Sequence, residues 1–444
     1  MQKEIIIEKF GALKHVDIQL DKQLFVIIGP QASGKSTFGK AVYFCRKIRD
    51  YLCDFASEIW NGNIRENPYG SFLKYLRNPF IGYFGTTKHM DNFHIRYYYD
   101  KINQKYVDIR LDEYHFTKFQ FSPNLSNQIK QLLNEAHQIP SNNIGSFSDS
   151  LFQQRAFMTQ FQQRAKKLFC DEEALLYIPA GRNLLATIPD LIMPDNDVSQ
   201  SMSGAVDITQ MDLITQEFLR YIKQMRRRFG SRLGEIVQNY VKTVSGSIRN
   251  HDVELAAELI KEILKAEYVY DQDGEKLYYA RDKWVKLMFG SSGQQEVLWA
   301  LNCIFLAILQ QERTFLIFEE PEAHIFPDAQ LTISQLIALL IRSNGSSVLL
   351  TTHSPYMLTA MNLLIYSGMI EGKKENEVVP RQCRLEKGVT DAYIITRDAG
   401  KFKNIIDPVR GLIDALEIDL ISDQINEKMD ILLNQKLEEE KERK

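Results

Sequence analysis

The chain has 444 residues, of which 44% are apolar and 25% charged, and its 57 acidic and 54 basic side chains give a net charge of −3. This composition is that of a globular protein, and it excludes a disordered chain, a collagen-like repeat and a small disulfide-stabilised protein. The balanced charge excludes a general nucleic-acid-coating protein but is compatible with a local basic stripe. The cysteines show no C-x-x-C spacing, which favours buried free thiols over a zinc site.

The opening segment MQKEIIIEKF carries charges and has no apolar stretch of the kind that a signal peptide requires. The longest nearly apolar run, residues 297–309, is shorter than the ~20 residues that cross a bilayer as a helix. We therefore expect a soluble, cytoplasmic protein without a membrane partner.

The N-terminal segment predicts strands, a glycine-bearing loop and a helix, in that order. Residues 4–10 and 15–20 are typical of two strands joined by a turn at Gly11. The apolar run 24–28 is typical of a buried central strand. Apolar residues at helical spacing over 35–57 predict the helix that follows the loop.

The next segments are less regular. Residues 61–70 and 77–85 are rich in Asn, Gly and Pro and predict loops. Strict alternation over 93–99 and again over 107–111 predicts two half-buried strands. Residues 126–168 then predict helix, interrupted by a linker at 140–150.

The centre of the chain predicts a short strand, a loop and more helix. The strand lies in the segment LLYIPAGR, which ends at Arg182, and the polar segment 190–206 predicts a mobile loop. Residues 208–266 have helical periodicity, and the Tyr-rich segment 267–279 predicts a hairpin that turns at Asp273-Gly274.

The last third alternates between helix and strand. The predicted elements are helix 294–311, strand 314–318, helix 327–342, strand 346–351 and helix 355–365. This rhythm predicts a parallel sheet with helices on its faces. The tail 427–444 predicts an amphipathic helix that ends in charged residues, either a solvated helix or a docking helix for a partner.

The clearest motif is GPQASGKST, which fits G-x-x-x-x-G-K-[ST] and lies between the buried strand and the first helix. Its glycines let backbone N–H groups wrap phosphates, Lys35 neutralises phosphate charge, and the Ser36 hydroxyl can bind Mg²⁺. The candidate nucleotide-binding residues are Gly29, Gln31, Ser33, Gly34, Lys35, Ser36 and Thr37.

Three further motifs lie in the last third. The strand TFLIF ends in Glu319 and Glu320, which predicts one carboxylate for the Mg²⁺ shell and one to polarise an attacking water. The small-residue segment 290–296, GSSGQQE, opens a helix and predicts a second anion site. The segment TTHSP carries His353 at the end of the next strand, where open α/β sheets bind ligands.

Together and in this order, these motifs resemble the ABC-type ATPases. The resemblance is greatest to the branch that contains RecF, the SMC proteins and the overcoming-lysogenization-defect (OLD) nucleases. It covers residues 1–57 and 277–365. It implies an α/β fold of the P-loop NTPase class: an ABC-ATPase head with an N-terminal antiparallel β-meander, a mixed or parallel sheet with helices on both faces, and a mostly helical insertion.

The resemblance also implies a role for each matching residue. Lys35, Ser36 and Thr37 would bind phosphates and Mg²⁺. Glu319 would be the Walker B acid that holds Mg²⁺, at a position where Asp is commoner in transporters, and Glu320 would be the catalytic base. The family's Q-loop glutamine has no assigned counterpart in this sequence.

The two remaining motifs correspond to the switch histidine and the signature. His353 would sense the γ-phosphate of ATP. The signature would reach the ATP of a second subunit, through Ser291, Ser292, Gly293 and Gln294. One chain then holds one phosphate loop and one signature loop, so that ATP would join two chains and hydrolysis would release them.

Three classes of ABC-type ATPase compete. The long segment between the phosphate loop and the signature disfavours a transporter subunit. The chain has no sustained heptads for a long coiled coil, which leaves a compact RecF-like DNA-binding ATPase of repair or recombination as an alternative. The acidic residues after 365 lack the D-x-D spacing of the nuclease that OLD proteins carry, so we expect no nuclease activity in this chain.

The chain most resembles the stand-alone ATPase subunits of two-gene antiphage systems such as Septu and PARIS. This resemblance implies a homodimer, or a higher oligomer built from dimers, that hydrolyses ATP. It would act as sensor and scaffold for a separate effector protein of nuclease type in bacterial antiphage defence.

Arginine-bearing segments leave two questions open. Arg182 could reach nucleotide or a neighbouring chain, or it could form a surface salt bridge. A basic helix could bind DNA, although its charges are expected to spread around the helix rather than lie on one face; they are Lys223, Arg226, Arg227, Arg228 and Arg232.

The predicted organisation has four regions. Residues 1–125 form the N-terminal half of the ATPase head, and 126–266 form a mostly helical insertion or dimerisation region. Residues 267–400 form the C-terminal half with the signature, Walker B and switch histidine. Residues 401–444 form a helical tail.

Overall fold

The computed structural model describes residues 2–64, 66–90, 92–138, 147–183, 211–243, 247–370, 378–396, 400–414, 427–433 and 435. Its strands are β1 (Glu4–Phe10), β2 (Leu13–Gln19), β3 (Leu24–Ile28), β4 (His94–Asp100), β5 (Lys105–Leu111), β6 (Thr117–Phe121), β7 (Ala174–Ile178), β8 (Glu267–Asp271), β9 (Gly274–Ala280), β10 (Lys283–Lys286), β11 (Thr314–Glu319), β12 (Ser347–Thr352), β13 (Thr390–Ile395) and β14 (Phe402–Asn404). Its helices are α1 (Lys35–Trp60), α2 (Pro68–Tyr75), α3 (Arg77–Phe84), α4 (Pro123–His137), α5 (Phe147–Leu168), α6 (Leu213–Arg226), α7 (Leu233–Thr243), α8 (Ser247–Leu264), α9 (Ser292–Gln310), α10 (Pro327–Asn344) and α11 (Pro355–Met369).

A six-stranded sheet with the order β14-β13-β3-β12-β11-β7 forms the centre of the fold. The strands from β13 to β7 are parallel, and β14 is antiparallel to β13. The predicted parallel sheet is therefore confirmed, with one antiparallel edge strand added. Strand β13, which pairs directly with β3, was not among the predicted strands.

Apolar residues cover both faces of this sheet. Along β3, Leu24, Val26 and Ile28 belong to one hydrophobic core, whereas Phe25 and Ile27 belong to the other. Side chains of successive strand residues point to opposite faces, so a strand buried on both sides is apolar throughout. Helix α1 packs in the second core and helix α9 in the first, which confirms the predicted α/β class with helices on both faces.

Two antiparallel sheets flank the central one. The first has the order β2-β1-β4-β5-β6 and contains the predicted N-terminal meander and the two alternating strands, together with β6, which was not predicted. The second, β10-β9-β8, contains the predicted hairpin, in which Asp271 pairs with Gly274, and adds the unpredicted strand β10. This pairing confirms the hairpin, but its two turn residues are Gln272 and Asp273, one position before the predicted Asp273-Gly274.

The predicted loops are wrong at 77–85, which contains α3, and at 68–70, where α2 begins; residues 61–64, 66 and 67 lie outside helices, as predicted. Asn67 is the N-cap of α2, and its side chain accepts a hydrogen bond from the Gly70 N–H at 3.0 Å. Pro68 is the first residue of that helix, where a missing N–H costs nothing. The Asn and Pro residues that suggested a loop are therefore helix-initiating residues.

Some predictions lie outside the described residues. They are the mobile loop at 190–206, most of the linker at 140–150 and the end of the C-terminal tail. The division of the chain at 125, 266 and 400 stays a prediction. None of the described helices has the length and apolarity that a bilayer crossing requires.

Candidate functional site

Parallel pairing brings four strand ends to one edge of the central sheet. Thr352 of β12 is paired with Ile28 of β3, and Glu319 of β11 is paired with Thr351. On the other side of β11, Phe318 is paired with Ile178 of β7. The segments that follow these strands therefore meet at the carboxyl edge of the sheet, where open α/β sheets bind ligands.

The predicted phosphate loop connects β3 to α1 at this edge. Lys35 is buried, and its Nζ donates to the carbonyl oxygens of Gly29 and Pro30, at 2.9 Å each. Gly34 has φ 102°, and a Cβ there would lie 2.7 Å from the Leu13 side chain, so the turn into α1 requires glycine. Burial lowers the pKa of Lys35, while the nearby Glu320, Glu322 and Glu319 act in the opposite direction.

The other loop residues are arranged to receive an anion. The Ser33 hydroxyl is buried and has no hydrogen-bond partner among the described residues. Gln31 and Ser36 are exposed, and Thr37 is half-buried, at the start of α1. The first N–H groups of a helix and its dipole favour an anion at this position. An unpartnered hydroxyl beside them fits a phosphate-binding role.

Glu319 ends β11 with its carboxylate fixed from two sides. Tyr177 donates its hydroxyl to Oε1 at 2.7 Å, and the backbone N–H of Ala180 donates to Oε2 at 3.1 Å. Among the described residues no cluster of three or more His, Cys, Asp or Glu side chains could hold a metal ion. One carboxylate and the Ser36 hydroxyl nevertheless fit Mg²⁺, which usually takes its other ligands from substrate phosphates and water.

Glu320 follows Glu319 in a backbone conformation that is rare for residues other than glycine, with φ 43°. Its Oε1 lies 3.4 Å from Nε2 of His353, and both side chains are partly exposed. Hydrogen bonding to His353, and the charges of His353, Lys35 and Arg182, lower the pKa of Glu320 despite its partial burial. The surroundings of Glu320 therefore favour its negatively charged form, on a side chain that is partly exposed.

Two residues at this edge were missed at the sequence level. One is Tyr177, which orients Glu319. The other is Glu322, whose Oε1 accepts from the Thr352 hydroxyl at 2.8 Å and from the backbone N–H of His353 at 2.7 Å. Glu322 is the third acid of the FEEPE segment that contains Glu319, and its position there could have marked it as a candidate site residue.

Arg182 does not form a surface salt bridge. Its side chain is 0% exposed, and it pairs with Glu296, which is equally buried, at 3.1 Å. Its guanidinium also donates to the backbone carbonyl oxygens of Glu319 and Glu320, at 2.7 and 3.0 Å. All of these partners of the Arg182 side chain belong to the same chain, and two of them are the backbone carbonyls of Glu319 and Glu320.

The predicted signature residues form the start of α9. Ser291 caps this helix: its hydroxyl accepts from the Gln294 N–H, and Gln294 Oε1 accepts from the Ser291 N–H. A Cβ on Gly293 would lie 2.6 Å from the carbonyl oxygen of His324, so this contact requires glycine. Ser291 and Ser292 are exposed, and a cavity of about 560 Å³ lies beside the helix start.

The structure does not bring the signature to the phosphate loop of the same chain. Within the described residues, no hydrogen bond or ion pair joins 291–294 to 29–37. Gln294 instead donates to the carbonyl oxygen of Leu264 at 2.7 Å and accepts from the Tyr279 hydroxyl at 3.1 Å. The two segments therefore make no direct polar contact with each other within one chain.

The basic helix corresponds to α6 and the residues after it, and its charges are not all on the surface. Arg226 is 2% exposed and lies over the ring of Tyr270 at 4.7 Å. Arg232 lies 4.7 Å from the ring centroid of Tyr278 and 3.5 Å from the carboxylate of Glu267. The expectation that all these charges spread over the helix surface is therefore wrong for Arg226.

A profile of the family described as the AAA ATPase domain matches residues 1–358. The chain belongs to this family of ATPase domains. No curated protein has a similar sequence.

Three solved structures are similar to the chain. They are an SMC head bound to the C-terminal winged-helix domain of ScpA (12% identity, TM-score 0.40, 91% of this chain and 96% of that one), an SMC head domain with an extended coiled coil bound to the C-terminal domain of ScpA from Pyrococcus furiosus (13% identity, TM-score 0.36, 96% and 99%), and an SMC head domain from Thermotoga maritima (8% identity, TM-score 0.37, 91% and 98%).

Proposed function

We propose that the protein binds ATP with Mg²⁺ at the carboxyl edge of the central sheet and hydrolyses it. The observation that carries this proposal is the register of β3, β12 and β11, which brings Lys35, Glu319, Glu320 and His353 to one edge. Membership of an ATPase domain family supports it.

Each residue at this edge has a distinct role in the proposed reaction. Lys35 and the N-terminus of α1 would hold the phosphates. Ser36 and Glu319 would hold Mg²⁺, which would supply positive charge to the transferring phosphoryl group. Glu320 takes a proton from the attacking water. His353 is placed by Glu322 and contacts Glu320, so it sets the position of that base.

We propose further that two chains associate around ATP. The absence of a hydrogen bond or ion pair between the described residues 291–294 and 29–37 of one chain supports this arrangement. So does the exposure of large apolar side chains beside the signature: Phe289 is 73% and Phe326 77% exposed. ATP bound to one chain would then contact Ser291 and Gly293 of a second copy, and hydrolysis would release the two chains.

The test is Glu320→Gln with ATP and Mg²⁺, followed by phosphate release and by molar mass from light scattering. We expect kcat to fall about 10²–10⁴-fold, since general base catalysis contributes that much, and we expect the molar mass to double with ATP. Hydrolysis at the wild-type rate would contradict the assignment of the base. A mass that is independent of nucleotide would contradict the ATP-joined pair.

A matched pair of variants tests the signature. Ser291→Arg should abolish the doubling of mass but retain ATP binding, because the residue lies away from the phosphate loop. Thr159→Arg, at an exposed position on α5, should behave as the wild type. Equal loss of association in both variants would show that added positive charge, rather than the signature, is responsible.

The defence role is a finer proposal, in which the ATP-driven pair senses infection and controls a separate effector of nuclease type. It predicts that an effector protein co-purifies with the chain and that the purified chain has no nuclease activity. The alternative, a RecF-like DNA-binding ATPase, predicts DNA-stimulated ATP hydrolysis and duplex binding that weakens steeply with salt. Both predictions can be measured on one preparation.

A further inference from the structure

One buried arginine contacts two segments of the candidate site, those at the ends of β7 and β11. Nη1 of Arg182 donates to the carbonyl oxygens of Pro179 and Glu319, at 2.6 and 2.7 Å. Nη2 donates to the carbonyl oxygen of Glu320 at 3.0 Å. The fixed fork of a guanidinium can make such contacts together, whereas a lysine ammonium acts as a point charge.

The same side chain is tied to the signature helix α9. Its Nε donates to the carbonyl oxygen of Glu296 at 3.0 Å, and its Nη2 lies 3.1 Å from Oε1 of that residue. The Glu296 carboxylate also accepts from the backbone N–H groups of Arg182 and Asn183, at 3.0 and 2.7 Å. Glu296 lies two residues beyond Gln294, so this contact is about half a helical turn from the end of the signature.

Glu320 depends on these contacts because of its backbone conformation. Its φ of 43° is unfavourable for a residue with a Cβ and persists only where the surroundings fix it. The Glu320 N–H donates to the carbonyl oxygen of Thr351, and the Glu320 carbonyl accepts from Ala323 as well as from Arg182. Loss of the guanidinium would remove one of the bonds that hold this conformation.

We propose that Arg182 is a positioning residue that couples the signature helix to the catalytic base. A displacement of α9 moves Glu296. Because Glu296 is paired with Arg182, the arginine moves as well, and its hydrogen bond then shifts the backbone of Glu320. Hydrolysis then responds to engagement of the signature by a second chain. This inference rests on the proposed function, since it assigns a cause to the activity of Glu320.

The test compares two buried arginines. Arg182→Lys keeps the charge but cannot span the two segments. Arg46→Lys is the matched control, because Arg46 is 3% exposed, pairs with Asp171 and Glu173, and lies over the ring of Phe315 at 3.8 Å. Both variants are compared with the wild type in melting temperature, affinity for a non-hydrolysable ATP analogue, ATP-dependent molar mass and kcat.

For Arg182→Lys we expect the affinity for the analogue and the ATP-dependent rise in mass to be retained, while kcat falls by about tenfold or more. A misplacement of about 1 Å can cost roughly 10²-fold in rate. The wild-type kcat should rise with protein concentration as chains associate, whereas the kcat of Arg182→Lys should stay flat. Arg46→Lys should lower the melting temperature but keep the wild-type kcat and its concentration dependence.

A second variant keeps the inference testable if Arg182→Lys does not fold. Glu296→Gln leaves the arginine and the Glu319 and Glu320 contacts in place, and it should reduce the concentration dependence of kcat more than kcat at low protein concentration. A wild-type kcat and concentration dependence in a folded variant would overturn the inference, as would equal losses of kcat in Arg182→Lys and Arg46→Lys. If the wild type itself releases no phosphate, the proposed function fails, and the inference fails with it.

Discussion

Two buried arginines lie at opposite edges of the same sheet. Arg46 reaches the amino edge, where it pairs with Asp171 and Glu173, just before β7 begins. Arg182 lies at the carboxyl edge, where most of its acceptors are backbone carbonyls. The same residue type, equally buried, therefore stabilises the fold at one edge and shapes the backbone of the candidate site at the other.

The electrostatics of the two edges differ accordingly. At the amino edge, burial acts to raise the pKa of Asp171, but the charges of Arg46, Lys3 and Arg49 outweigh it and hold that pKa well below its usual range. At the carboxyl edge, burial lowers the pKa of Arg182, and Glu296 opposes the effect. The charged side chains at the amino edge are buried and paired with each other, whereas Glu320 at the carboxyl edge is partly exposed.

The largest predicted effect concerns the amino edge. Asp171→Asn removes one of the two carboxylates that pair with Arg46 and leaves Glu173 as the other, so the free energy of unfolding should fall by about 3 kcal/mol, the lower end of the cost of breaking a buried ion pair. Affinity for an ATP analogue should stay near the wild-type value. Urea denaturation measures the free energy of unfolding, and calorimetry measures the affinity for the ATP analogue. The control is Glu135→Gln, which breaks an exposed ion pair with Arg164 and should lower the free energy of unfolding by no more than about 1 kcal/mol.

The pH dependence of stability should come from the same edge. The pKa values of Asp171 and Glu173 are lowered in the folded chain, because their arginine and lysine neighbours outweigh burial. Their contribution is therefore fully present above the unfolded-state values of about 4 and is lost as the pH falls below them. Thermal unfolding between pH 6 and 3 should show a steeper loss for the wild type than for Asp171→Asn; parallel curves would contradict this assignment.

A smaller effect should appear at the carboxyl edge. Tyr177→Phe removes the hydroxyl that orients Glu319, so half-saturation of ATP hydrolysis should require about 10–100-fold more Mg²⁺. Stability should change little compared with Asp171→Asn. A titration of activity against Mg²⁺ decides the matter, and an unchanged half-saturation would remove Glu319 from the metal site.

The smallest expected effect is at the signature. Ser291→Ala removes the cap of α9 and should lower the free energy of unfolding by about 1 kcal/mol. Ser291→Thr retains a capping hydroxyl and should restore most of that loss. Equal stabilities of the alanine and threonine variants would show that the cap does not stabilise the helix.

The sequence predicted the carboxyl edge better than the amino edge. The positions of the phosphate loop, of the two acids at the end of β11 and of His353 could be predicted because each lies at the end of an apolar strand that is continuous in the sequence. The Arg46 cluster could not be predicted, because its acids lie in a segment that is distant in the sequence and comes close only when the sheet forms. The burial of Arg182 was missed for the same reason: its acceptors are carbonyl groups of other segments.

Errors elsewhere in the chain came from local ambiguity. Asn and Pro were interpreted as loop residues at 67–68, although the same pair can cap and start a short helix. Strand β13 carries Asp391 among its apolar residues, and its parallel partner β3 lies far from it in the sequence, so this pairing depends on tertiary contacts.

The most direct test of the account is calorimetric titration of a non-hydrolysable ATP analogue with Mg²⁺ into the wild type, Lys35→Ala and Lys40→Ala. Lys40 lies on the same helix and pairs with Asp212, so it controls for the loss of a lysine from α1. The account predicts saturable binding for the wild type and Lys40→Ala and at least tenfold weaker binding for Lys35→Ala, a loss of about 1.4 kcal/mol or more. Equal affinities of Lys35→Ala and the wild type would contradict a nucleotide site at the carboxyl edge.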